Sequence, residues 1–188
     1  MVCGAAGEGH ELKKWWLVFA VLFSVGAVAG AGSLLSPFTE RCAGAAAEIV
    51  SAAGSVPGWQ GSALAFLLIF GKNVFVAVLA TLAGTKIYGL FPVMVCLVNG
   101  LVVGAVAREA AAYISPAAIF AGFAVHGVPE LAALFLVCGH AAKLAWSKEK
   151  VEQKEKFAVF KYALPILLAA AALEVFVTPA VMEKLAIW

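Results

Sequence analysis

The sequence predicts an all-α membrane protein, a polytopic helix bundle with five full spans and a short re-entrant or interfacial helix before the fourth. Of its 188 residues, 64% are hydrophobic and 13% are charged, against roughly 45–50% and 25% in soluble domains. The mean hydropathy is +1.00. The apolar stretches are continuous, which opposes the alternating pattern of a membrane β-barrel. This composition excludes a soluble enzyme and a disordered chain.

The first three spans follow from the length of apolar sequence that a bilayer requires, about 20 residues. Lys13 and Lys14 precede the first span, and Arg108 closes the third. We predict these spans at about residues 15–33, 62–84 and 87–107.

The fourth apolar region is too long for one span and too short for two with a loop. Pro116 and Pro129 interrupt it. The residue before a proline disfavours helix, and proline suits the first turn of a new helix. We therefore predict a short helix at about 115–124, a break, and a full span at 129–146. A broken backbone at membrane depth must be covered by protein or water, so this region should face the interior.

The last span is predicted at about 157–179, and the five spans form a single integral membrane domain over 1–188. Lysines before the first span and in the run 148–156 place the amino terminus in the cytoplasm by the positive-inside rule. The segment 34–61 and the carboxyl terminus then lie outside. The expected location is the cell membrane, as a multi-pass protein in contact with the lipid bilayer. The formal charge of +2, without a basic stripe, indicates no nucleic-acid partner.

Glycines at helical spacing predict sites of close helix packing. Gly26 and Gly30 are four apart in the first span, which favours a retained helix over a cleaved signal peptide. Gly100 and Gly104 are four apart in the third span, and Gly127 lies at the predicted break. The spacing leaves open whether these faces meet within one chain or between copies in a homo-oligomer.

Polar residues inside spans are costly and are candidates for binding. Lys72 and Asn73 lie in the middle of the second apolar segment. The alternative is that the span begins near Asn73 and Lys72 lies at the outer surface. Asn99 precedes Gly100 in the third span, where it could pack, hydrogen-bond across an interface or bind a ligand.

His126 and Glu130 mark the predicted break in the fourth region. Glu130 would lie in the first turn of the following helix, where the helix dipole favours a negative charge. One interpretation is helix capping alone. The other is a functional polar pocket, a proton relay or a contact for a partner helix.

Other ionisable residues are expected to be exposed. Glu174 lies within about one turn of the predicted outer end of the last span, and it is too far from Lys161 to pair within one helix. Serine, histidine and carboxylate do not form a nucleophile pattern, and no His/Cys cluster has zinc spacing. We therefore expect no catalytic residue, no metal, no cofactor and no enzymatic activity.

Three motifs, in this order, resemble the stage II sporulation protein M family. They are Phe70-Gly-Lys-Asn, a stretch from Cys96 to Gly104 containing Asn-Gly-x-x-x-Gly, and His-Gly-Val-Pro-Glu-Leu from His126. The sequence departs from the family in having Lys72 where a second asparagine is frequent, and proline before rather than after Glu-Leu. The positions that match the family motifs are Asn73, Asn99, Gly100, Gly104, His126, Gly127 and Glu130.

The resemblance implies a small integral membrane protein. The namesake of the family scaffolds a cell-wall-remodelling complex in spore-forming bacteria, and the role of many relatives is not established. The leading hypothesis is therefore a non-enzymatic scaffold or assembly partner of other membrane proteins. The alternative is a small transporter or channel, which the polar residues at membrane depth favour.

Overall fold

A computed structural model of the chain describes residues 5–32, 58–87, 89–146 and 152–186, with a few isolated positions between 32 and 58. Side chains are described from Lys14 onward. Most of the predicted outer segment, 34–61, lies outside the described residues.

All regular structure in the described part of the chain is helical. Five segments there are long and apolar enough to cross a membrane. The fifth segment, Gln153–Leu185, is built from three short helices and one wider turn. The helices are α1 (Ala5–Ala31), α2 (Trp59–Lys86), α3 (Leu90–Ala110), α4 (Pro116–Trp146), α5 (Gln153–Phe157), α6 (Phe160–Ala172) and α7 (Thr178–Ala186), with a π-helical turn (Leu173–Val177) before α7.

The second and third spans are joined by a tight turn. Gly89 has a φ of 76°, in the left-handed region that glycine adopts without steric cost. Its backbone N–H donates to the carbonyl of Gly84 at 2.9 Å. Because this turn ends α2, the third helix begins at Leu90 and not near residue 87.

The predicted break in the fourth region is wrong, because α4 runs as one helix from Pro116 to Trp146 with Pro129 inside it. No separate short helix at 115–124 exists in this described segment. Proline removes one backbone hydrogen bond from a helix interior. Membrane helices tolerate the missing hydrogen bond, because neighbouring helices and side chains satisfy the backbone group that it leaves free. With 31 residues, α4 is about 46 Å long.

Replacement of Pro129 by alanine tests this description of α4. We expect Pro129→Ala to raise the free energy of unfolding by about 1–3 kcal/mol, because alanine restores the missing N–H donor. Thermal unfolding in detergent, followed by circular dichroism, measures the change. The control is Pro116→Ala, which should have little effect because Pro116 opens the helix, where its N–H has no helical partner. A destabilised Pro129→Ala protein would contradict the prediction.

Among the described helices, α1 and α3 approach each other closely, and glycines make this contact possible. A β-carbon added to Gly100 would meet the carbonyl oxygen of Phe23, and one added to Gly104 would meet that of Ala27. On the other side, a β-carbon on Gly26 would meet backbone atoms of Leu97. The two glycine pairs predicted from the sequence therefore face each other within one chain.

The surroundings of Gly127 differ from those of the glycines between α1 and α3. The atoms nearest to a β-carbon at this position belong to the ring of Phe123, one turn earlier in the same helix. That ring lies edge-on to the imidazole of His126, with 6.1 Å between the ring centroids. Gly127 therefore makes room for a side chain of α4 itself, and Phe123 in turn positions His126.

The two ends of the bundle differ. At one end, which we call the amino-terminal end, the rings of Trp15 and Trp146 meet at 4.9 Å, and the imidazole of His140 contacts the carbonyl oxygen of Glu155 at 2.8 Å. Apolar side chains fill the half of the bundle next to this end. Its most deeply buried members include Phe19, Ala80, Cys96, Val137, Cys138 and Ala163.

Candidate functional site

The other half of the bundle contains a cavity of about 850 Å³. It extends from the turn between α3 and α4, near Arg108 and Pro116, to the middle of α2 and α4 at Asn73 and Glu130. We call this end of the bundle the cavity end. The volume lies within the range of small-molecule sites, about 300–1,000 Å³.

The inner limit of the cavity is apolar and closely packed. The side chains there are almost fully buried and belong to four different helices. The apolar core described above continues beyond them toward the amino-terminal end. The cavity therefore ends near the middle of the bundle. Its floor consists of Phe23, Ala77, Ala133, Leu134 and Leu167.

Lys72 and Glu130 form an ion pair across the cavity between α2 and α4. The Lys72 Nζ lies 3.8 Å from the Glu130 Oε1, and the two side chains are 57% and 24% exposed. Because α2 extends from Trp59 to Lys86, Lys72 lies at the middle of the helix. The helix itself therefore begins well before Asn73, whereas the alternative that the membrane span begins there stays a prediction. A cation at this depth needs a partner, and Glu130 supplies it.

His126 is held by the last span. Its Nδ1 lies 3.1 Å from the Thr178 Oγ1, and that hydroxyl donates to the carbonyl oxygen of Leu173 at 3.1 Å. Threonine has only one hydroxyl hydrogen, so when the hydroxyl donates to Leu173, the Nδ1 of His126 is the donor in the contact with Thr178.

Glu174 also lies on the cavity wall, within electrostatic range of His126, Glu130 and Lys72. The expectation that Glu174 is exposed is wrong, since its side chain is half-buried. It belongs to the π-helical turn before Thr178, and such turns are frequent at functional sites. Pro179 follows this turn, and its ring crowds the preceding backbone, which a wider turn relieves.

The sequence contained a signal for this part of the site. A glutamate followed four residues later by Thr178-Pro179 combines an ionisable group with a helix irregularity inside an apolar segment. Proline near a polar residue in a span indicates a local change of helix geometry. The sequence pattern does not show which helix Glu174 faces.

The two asparagines differ in their hydrogen bonds. The Asn99 amide nitrogen donates to the carbonyl oxygen of Val95, at 2.8 Å in the same helix, and not across a helix interface. Asn73 is 7% exposed, and its amide nitrogen has no hydrogen-bond partner among the described residues. Leaving a buried donor unpaired costs about 1–3 kcal/mol. Both residues line the cavity.

The structure thus brings together all five predicted binding residues at one cavity, and it adds Glu174 and Thr178 from the last span. Within the described residues, no group of three histidine, cysteine or glutamate side chains could hold a metal ion. Fold and cavity together define a class: a multi-pass membrane protein with ionisable groups from four helical segments around an intramembrane cavity.

Comparison with known families is in agreement with this class. The family model of Stage II sporulation protein M matches residues 17–179. The chain belongs to this family, whose members are membrane proteins. No curated protein and no solved structure matches the chain.

Proposed function

We propose that the protein is a small transporter that binds a polar solute inside the membrane. The observation that carries this proposal is the convergence of Lys72, His126, Glu130 and Glu174 on one cavity that ends at a packed apolar floor. Ionisable residues at membrane depth are costly and typically mark substrate or ion pathways. A site closed on one side is the arrangement expected of one state of a carrier.

The polar residues of the cavity are not needed for the close packing of α1 against α3. Glycines, not polar side chains, mediate the close contact between α1 and α3. The ion pair between Lys72 and Glu130 is 3.8 Å long and partly exposed to the cavity. A solute with charged or polar groups could therefore exchange with it at modest cost, because exposed pairs contribute only about 0–1 kcal/mol.

The proposed orientation follows from the distribution of lysines. Lys14, Lys86, Lys154 and Lys156 lie at the amino-terminal end of the bundle, which we place in the cytoplasm. The cavity end then faces outward. We propose the cell membrane as the location, without an enzymatic reaction and without a nucleic-acid partner.

The test is uptake by the full chain in lipid vesicles, with labelled glycine, lactate and choline as probes of three charge types. We expect uptake of at least one probe above that of empty vesicles. Glu130→Gln and His126→Ala should each reduce it at least tenfold without loss of the folded protein. Gel filtration in detergent reports folding. Glu109→Gln is the control, because Glu109 is exposed and is not part of the cavity wall.

Uptake by both variants at the wild-type rate would contradict the proposal. Scaffolding of a membrane complex is the second candidate, and membership of the Stage II sporulation protein M family favours it. It would replace the first if no probe is taken up and crosslinking in membranes yields a stoichiometric partner protein. Self-crosslinks alone would indicate a homo-oligomer.

A further inference from the structure

We infer that Glu174 is a proton-binding residue of the cavity, which carries a proton at neutral pH and exchanges it with cavity water. This inference deepens the proposed function and rests on it, since a transporter with such a residue would couple solute binding to proton binding. The argument starts from the charges that face the cavity.

The charged and titratable groups on the cavity wall come from four segments. Helix α1 contributes only apolar side chains to this wall. Arg108 belongs to the last turn of α3, at the cavity end. The complete set in the described residues is Lys72 on α2, Arg108 on α3, His126 and Glu130 on α4, and Glu174 on the last span.

Among the described residues, one carboxylate of the cavity wall has no cation within ion-pair distance. Lys72 forms an ion pair with Glu130. Within the described part of the chain, Glu174 forms neither an ion pair nor a hydrogen bond through its side chain. A half-buried carboxylate without a partner at membrane depth is unfavourable. A bound proton removes that charge and leaves the group of Lys72, Glu130 and Glu174 neutral.

Water in the cavity supplies and receives this proton, because Glu174 lies on the cavity wall. The Glu174 carboxylate takes a proton from water, leaving hydroxide. The reverse step returns the proton to hydroxide, so charge and atoms balance.

The purely structural interpretation is that His126, Thr178 and Glu174 hold α4 against the last span. The contact between His126 and Thr178 is in agreement with such a role. It does not require a carboxylate at position 174, however, because Glu174 makes no described contact of this kind. The two interpretations therefore differ in the protonation of Glu174, which can be measured directly.

The experiment is infrared spectroscopy of the full chain in lipid bilayers, without solute, as a function of pH. A protonated carboxyl group gives a carbonyl band distinct from that of a carboxylate. At neutral pH, exposed glutamates are ionised. We expect a band at neutral pH that corresponds to one carboxylic acid per chain. It should disappear in Glu174→Gln and remain in Glu174→Asp and in the control Glu109→Gln.

A further variant sharpens the test. Lys72→Met removes the cation that faces Glu130, so a second carboxyl group should bind a proton and the band should about double. The amide bands of the same spectrum report whether each variant is folded. Absence of the band in the folded wild-type protein, or its persistence in Glu174→Gln, would overturn the inference. The measurement contains no solute, so failure of the uptake experiment leaves its outcome interpretable.

Discussion

Gly104→Ala should lower the free energy of unfolding by about 2–3 kcal/mol. The added β-carbon would meet the carbonyl oxygen of Ala27 and approach the backbone nitrogen of Ala31. Backbone atoms cannot move aside as the end of a flexible side chain can, so α1 and α3 must separate. Overpacking of a close contact typically costs 1–3 kcal/mol. Thermal unfolding in detergent and the yield of monodisperse protein measure the loss.

Gly71→Ala is the matched control. It makes the same change in the interior of a membrane helix, but no atom lies within 4 Å of the new β-carbon. We expect no loss of stability, because alanine is the better helix former by about 1 kcal/mol. If both variants were equally stable, the close contact of α1 with α3 would not contribute to the fold as described.

Lys72→Glu should have the second large effect. It would place a second carboxylate beside that of Glu130 and would replace the attraction across the cavity by repulsion. Two charges about 4 Å apart interact by about 4 kcal/mol at an effective dielectric constant of 20. Because Lys72 is 57% exposed, we expect a net destabilisation of about 2 kcal/mol. The unfolding temperature in detergent should fall accordingly.

The charge-reversed double variant tests whether the lost stability comes from this ion pair or from any substitution at the two positions. Lys72→Glu combined with Glu130→Lys restores opposite charges between α2 and α4. It should regain at least half of the lost stability, whereas transport should remain impaired because the charges have exchanged places. An unfolding temperature of the double variant no higher than that of Lys72→Glu would show that the two residues do not interact.

The glycine contacts bear on the choice between a scaffold and a transporter. Gly26-x-x-x-Gly30 and Gly100-x-x-x-Gly104 could have formed the surface between two chains. They face each other within one chain instead. These motifs therefore explain how the bundle folds and give no separate argument for an oligomer. The cavity now carries the functional proposal.

Several features of the fold could be predicted because they depend on local sequence. An apolar run of about 20 residues crosses a bilayer wherever its neighbours lie. Polar residues inside such a run are costly wherever they lie in the fold. The sequence was therefore enough to select Lys72, Asn99, His126 and Glu130. The boundary error at the third span has an equally local cause, the left-handed turn at Gly89.

The continuity of α4 could not be predicted in this way. The residues around Pro129 contain the usual signals of a helix boundary: histidine and glycine, typical of a helix end, precede a proline and a glutamate, typical of a helix start. In water, these signals would favour a break. Inside a helix bundle, the exposed backbone of a break costs more than the one hydrogen bond that proline removes. The helix therefore continues through Pro129.

The sequence by itself determined the class of protein, its five apolar segments, the family and the positions of the polar and glycine residues within the spans. Only the tertiary structure decided which of them meet: Gly104 with Ala27, Lys72 with Glu130, and His126 with Thr178. Hydropathy and spacing are properties of one segment, and they are fixed along the chain. Contacts depend on how each helix is rotated and which neighbours it has, and packing of the whole bundle sets both.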